Sequence, residues 1–133
     1  MKVNALDHVN IITDDLAGTV RFFVEIFDLD VRDAPAPLPP EHYQWLYDEN
    51  NRAIFHINSK SAPQAFQRET PAGPATGAIH HVALACTGHA GFSARLKEHS
   101  IDFRTNDIPS VNLRQIFFSE PNGVLLELNF YGD

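Results

Sequence analysis

The amino-acid sequence predicts an α+β fold made of two βαβββ modules. Three observations predict it. The chain repeats itself: Leu6-Asp7-His8-Val9-Asn10-Ile11 returns 73 positions later as Ile79-His80-His81-Val82-Ala83-Leu84. Leu29-Asp30-Val31-Arg32 returns at an offset of 72 as Ile101-Asp102-Phe103-Arg104, and Phe55-His56-Ile57-Asn58 at 71 as Leu126-Glu127-Leu128-Asn129. The offset drifts one residue at a time, as single deletions in loops would make it. Each half also runs through the same succession of period-two and helical apolar patterns. Each half closes on a polar turn at the equivalent point, Asp48 to Asn51 and Glu120 to Gly123.

Val3 to Ile12 alternates as a strand, with Leu6, His8, Asn10 and Ile12 on one face and Asp7, Val9 and Ile11 on the other. Thr13-Asp14-Asp15 is an N-cap signal with acids in the first turn, and Leu16, Val20, Phe23, Val24 and Phe27 form the apolar stripe of the helix that follows. A short strand is expected at Leu29 to Arg32. Ala34 to Pro40 holds four prolines in seven residues and cannot be a regular element. His42 to Tyr47 and Arg52 to Asn58 read as a hairpin. Module one therefore spans about 1–58. Residues of about 59–78, rich in Pro, Ala and Gly, read as a linker, with a helical turn conceivable at Ala65 to Arg68. Module two, about 79–133, repeats the order: a strand from Ile79 to Cys86, a helix from about Gly88 to His99, a strand near Asp102 to Arg104, and a hairpin of Asn112 to Ser119 with Val124 to Phe130.

The 133 residues suffice for one domain with a core, and 44% apolar content is ordinary for a globular chain. A formal charge of -7 argues against nucleic acid or an anionic membrane as the main partner. With one cysteine, Cys86, no intrachain disulfide can form, and no secretory h-region precedes the first motif. A cytoplasmic location is expected.

Strand parity decides which residues meet. His8 shares a face with Leu6 and Asn10, His56 with Ile54 and Asn58, His81 with Ile79 and Ala83, and Glu127 with Leu125 and Asn129. If a pseudo-twofold relates the modules, His8, His56, His81 and Glu127 occupy the concave face of one curved sheet. Two imidazoles and a carboxylate leave positions open on a divalent ion, an arrangement used for Fe(II) and tolerated by Mn, Ni, Co or Zn. His56 is then either a fourth ligand or an acid/base. A carboxylate on so apolar a strand as Val124 to Leu128 is costly without a partner, so Glu127 is expected to need a cation.

These residues resemble the vicinal oxygen chelate superfamily, which contains glyoxalase I, methylmalonyl-CoA epimerase, fosfomycin-resistance proteins, extradiol dioxygenases and bleomycin-resistance proteins. The resemblance rests on Leu6-Asp7-His8-Val9, on His80-His81-Val82-Ala83 and on the run from Phe117 to Leu128. It implies that the modules pair into an eight-stranded half-barrel sheet with helices outside, that homodimers form, and that His8, His81 and Glu127 are metal ligands. His56 stands where glyoxalase-like members carry a fourth ligand and where extradiol dioxygenases supply a catalytic histidine. Extradiol enzymes also place a Tyr about ten residues before the carboxylate ligand, near the point where this chain has Phe117.

The shared chemistry is Lewis-acid catalysis on a small substrate with vicinal oxygens, with Glu127 or His56 moving a proton. His42 and Tyr43 are candidates for the pocket rim or the exposed start of a hairpin. Trp45, Phe117 and Phe118 are candidates for pocket lining or core. Asn10, Asn58 and Asn129 lie two residues from ligand positions and are placed to orient the site or a substrate. His80 reads as packed against the helix layer or solvated, His89 and His99 as surface residues of the second helix, and Cys86 as unreactive. The favoured reading is a metal-dependent lyase or isomerase of glyoxalase type. An extradiol-type dioxygenase and a small-molecule binding or resistance protein are the alternatives.

Overall fold

A computed structural model describes residue 6, residues 8–62 and residues 81–132. The chain divides into two units, Met1–Pro71 and Ala72–Asp133. The expected start of the first strand, the helical turn at Ala65 to Arg68, Ile79 and His80 lie outside the described residues.

In the first unit β1 (Val9–Thr13) leads into α1 (Leu16–Phe27), followed by β2 (Asp30–Asp33), β3 (Tyr43–Tyr47) and β4 (Ala53–Ser59). The sheet order is β1-β4-β3-β2, with β1 parallel to β4 and the other pairs antiparallel. The second unit repeats this as β5 (Val82–Ala85), α2 (His89–Glu98), β6 (Arg104–Ile108), β7 (Leu113–Ser119) and β8 (Leu125–Tyr131), in the order β5-β8-β7-β6. The expected βαβββ modules are therefore present, each with its own four-stranded mixed sheet. Among the described residues, no helix is long and apolar enough to cross a membrane.

Helix α1 begins where Asp15 accepts a hydrogen bond from the Gly18 amide at 2.8 Å. A Cβ on Gly18 would collide with that carboxylate, so Asp15 keeps this rotamer only with glycine there. Asp15 precedes the helix as its cap, and no acid lies in the first turn. Asp14 turns outward to Lys60, 2.8 Å away. The buried stripe runs through Thr19, Phe23 and Ile26, one position round from the stripe the sequence suggested. The shift is accommodated because the Thr19 hydroxyl is satisfied by Thr13, 2.9 Å away.

One face of each central strand is sealed under its helix. In the first unit Phe23, Ile26, Leu46, Phe55 and Ile57 are buried, with the Phe23 and Phe55 rings 4.6 Å apart. In the second, Leu96, Ile116, Leu126, Leu128 and Phe130 are buried. His89 lies edge-on to Phe130 at 5.1 Å, so it belongs to this packing rather than to the surface, whereas His99 is exposed as expected. Phe118 is core. Burial pushes the Cys86 thiol up to about 11, consistent with an inert residue.

Strand β6 runs over Arg104–Ile108, beyond the expected Asp102 to Arg104. It is an edge strand with almost wholly exposed residues, so it carries no apolar alternation to read. A short 3-10 turn, Pro109–Val111, links it to β7.

The two hairpin turns share one device. Asp48 Oδ1 accepts from the amides of Asn50 and Arg52 at 3.0 and 2.9 Å. Glu120 Oε1 accepts from those of Asn122 and Val124 at 2.8 and 2.9 Å. Burial alone would raise the Asp48 carboxyl. The hydrogen bonds from the Arg52 side chain and from the Arg52 and Asn50 amides outweigh it and hold the group below the usual carboxylate range. A depressed folded value means the stabilisation is fully present above about pH 4 and is lost as pH falls through the folded value. Asp48→Asn should therefore melt at lower temperature than the wild type near neutral pH. The gap should close below about pH 4, as measured by thermal denaturation across the acid range.

Candidate active site

Alternation on β4 and β8 places the chemistry on the face away from each helix. With Phe55 and Ile57 turned inward, His56 lies on the opposite face, beside Asn10 on β1 and Trp45 on β3 in the strand register. With Leu126, Leu128 and Phe130 turned inward, Glu127 takes the opposite face, paired with Ala83 on β5 and Phe117 on β7. His8 and His81 occupy matching positions just before β1 and β5. Among the described residues, no three His, Cys, Asp or Glu side chains gather into a group that could hold a metal ion.

The first unit presents a stack of three rings. His56 lies 3.8 Å from Trp45 with the ring planes 1° apart, and 3.8 Å from His8 at 16°. With both faces covered, the imidazole of His56 meets other groups only along its edge. Beside it, Asn58 Nδ2 donates to Asn10 Oδ1 at 3.2 Å, and the Asn58 side chain is buried. Together with Tyr43 these residues floor a cleft of about 380 Å³. Its wall is Pro35, Ala36, Pro37 and Leu38 from the proline-rich loop. Four of the proposed pocket residues, Asn10, Asn58, Tyr43 and Trp45, therefore line one cavity. His42 does not: it sits half-buried at the base of the loop, its amide donating to Pro39 O at 3.0 Å.

The second unit presents a carboxylate held by amides. Glu127 Oε1 accepts from Gln115 Nε2 and Asn129 Nδ2, both at 2.9 Å. Gln115 also donates to Asn129 Oδ1 at 2.9 Å and accepts from Asn106 Nδ2 at 2.8 Å. Glu127 Oε2 faces His81 Nε2 at 3.2 Å, and the Glu127 side chain is 12% exposed. Glu127 therefore has protein partners at both oxygens: neutral amides orient Oε1, and His81 faces Oε2. Phe117, directly across from Glu127, lies half-buried on the same face and offers no hydroxyl.

Gln115 escaped the sequence reading. Its signal was a polar residue two before Phe117, on the face of Glu127. Gln115→Leu would leave Asn106 without its acceptor and Glu127 Oε1 with one donor fewer. It should cost about 1–3 kcal/mol in urea unfolding, and an unchanged midpoint would contradict the network.

The sequence profile of the Glyoxalase/Bleomycin resistance protein/Dioxygenase superfamily matches residues 5–128. No curated protein matches the chain. Among solved structures, a protein from the mobile metagenome of V. Pseudocholerae, VPC_CASS1, is similar with a TM-score of 0.71 and 13% identity, over 100% of this chain and 98% of that one. The fosfomycin resistance protein FosX from Listeria monocytogenes is similar with a TM-score of 0.66 and 17% identity, over 97% and 94%. Lactoylglutathione lyase from Agrobacterium tumefaciens gives 0.65 and 16%, over 98% and 96%. At these identities the likeness is one of fold.

Proposed function

This chain belongs to the glyoxalase/bleomycin resistance protein/dioxygenase superfamily, and from that membership we propose that it is a divalent-metal-dependent lyase or isomerase acting on a small vicinally oxygenated substrate. His8, His81 and Glu127 are the proposed ligands. His56 is a further ligand or the acid/base. The observation that carries the proposal is the pair His81 and Glu127. Their facing atoms, Nε2 and Oε2, stand 3.2 Å apart, and two such lone pairs need a proton or a cation between them. Ligands bound at about 2.1 Å to one ion and at right angles to each other are about 3 Å apart, so the pair fits a metal. The amides of Gln115 and Asn129 supply the orienting contacts that ligating carboxylates typically have.

A bound divalent ion would act as a Lewis acid on the substrate oxygens. The chain's own residues account for the rest. Gln115 and Asn129 immobilise Oε1 of Glu127, which leaves Oε2 to bind or to hold a proton. Stacking between His8 and Trp45 fixes the ring plane of His56, so a proton on its edge is delivered in one direction. Asn10 and Asn58 stand beside it as amide partners for a substrate oxygen.

The dioxygenase reading draws on His56 and is opposed by Phe117, which cannot donate a hydrogen bond beside the carboxylate. The binding-protein reading draws on the cleft walled by Trp45, Tyr43 and the proline loop. Elemental analysis of untagged protein separates these readings. About one equivalent of Ni, Co or Zn in the wild type, lost in Glu127→Ala and His81→Ala, is the expected result. Iron or manganese with oxygen uptake on catechols would favour the dioxygenase. No metal after reconstitution with each divalent ion would overturn the enzyme reading.

A further inference from the structure

The cleft in the first unit differs in chemistry from the carboxylate–amide network in the second. Among its described lining residues there is no lysine, arginine, aspartate or glutamate. Proline rings, Ala36 and Leu38 form one side, and Tyr43 and Trp45 with the Asn10–Asn58 amides form the other. His56 is the one titratable imidazole at this wall, and its faces are taken up by His8 and Trp45.

We propose that this cleft takes the uncharged, ring-bearing part of the substrate, so that the protein acts on neutral aromatic or similarly planar compounds rather than on phosphonates or carboxylates. The proposal rests on the metal-enzyme reading only in taking the cleft's occupant to be its substrate. Ring recognition stands on the cleft itself. An anionic group seated here would give up part of its hydration and meet no counter-charge among the described lining residues, which disfavours it. A planar ring would exchange water for contact with proline rings and aromatic side chains, and a volume of about 380 Å³ suits a single substituted ring.

The wall is built before any ligand arrives. Leu38 N–H donates to Pro35 O at 3.1 Å, and the amides of His42 and Tyr43 both donate to Pro39 O, at 3.0 and 3.1 Å. Gln44 Nε2 ties Pro40 O to Asp33 Oδ1 with two bonds of 2.9 Å. Ala34 is buried beneath the loop. Prolines and these bonds together limit the ordering that binding would otherwise require.

Benzamide and benzoate test the proposal, since they share shape and differ in charge. Trp45 is the sole tryptophan, so its emission reports on the cleft, and calorimetry provides an independent Kd. Chelator-treated wild-type protein should bind benzamide saturably and at least about tenfold more tightly than benzoate. Leu38→Trp should abolish the binding by filling the cleft, and Leu38→Arg should reverse the preference towards benzoate. Equal or tighter binding of benzoate by the wild type, or benzamide binding unaffected by Leu38→Trp, would overturn the proposal. Benzamide binding by a protein that takes up no metal would support the ring site while overturning the metal-enzyme reading. Metal uptake without benzamide binding would overturn the ring site alone.

Discussion

The structure depends on the period-two alternation of β4 and β8. Phe55 and Ile57 in one module, and Leu126, Leu128 and Phe130 in the other, are buried to 1% exposure or less. A register slip of one residue would carry all of them to the opposite face and bury His56 and Glu127 in their place. The cost of desolvating those polar groups, added to the exposure of several large apolar side chains, holds the register. The sites are a by-product of that packing: whatever stands between the core residues must face away from the helices.

Duplication then gives the same geometric slot twice, and the two slots have diverged. Trp45 stands opposite His56, and Phe117 stands opposite Glu127. On the His56 face the neighbours are rings and a proline-walled cavity, an environment for shape and apolar contact. On the Glu127 face they are Gln115, Asn129 and His81, an environment for charge and protons. The matching turn carboxylates, Asp48 and Glu120, have kept their task, accepting amide hydrogen bonds so that each hairpin returns in register. A structural role constrains a residue equally in both copies, whereas a binding role leaves each copy free to specialise.

Much of this was legible in the sequence. The repeat gave the module order, and strand parity placed His56, Asn58, Glu127 and Asn129 on the faces where they are found. What escaped has physical reasons. Strands β2 and β6 are exposed along almost their whole length, so their bounds carry no apolar signal. The α1 stripe was misplaced by one position because a buried threonine, satisfied by Thr13, looks polar in sequence. Gln115 was passed over because a polar residue on a strand is ordinarily solvent-facing, and only its cross-strand neighbours reveal the carboxylate it serves. In sequence Trp45 is ambiguous between core and pocket, and Tyr43 between pocket rim and the exposed start of a hairpin. The proline loop that decides the matter has no periodicity to read.

The proposed function requires one histidine from each module to serve one metal ion. X-ray absorption spectroscopy of the cobalt-loaded protein tests it most directly, by counting imidazole ligands. The account requires the count to fall by one in His8→Ala and by one in His81→Ala, with carboxylate oxygen lost in Glu127→Ala. An imidazole count unchanged by His8→Ala would contradict it, and would confine the metal to the second module alone.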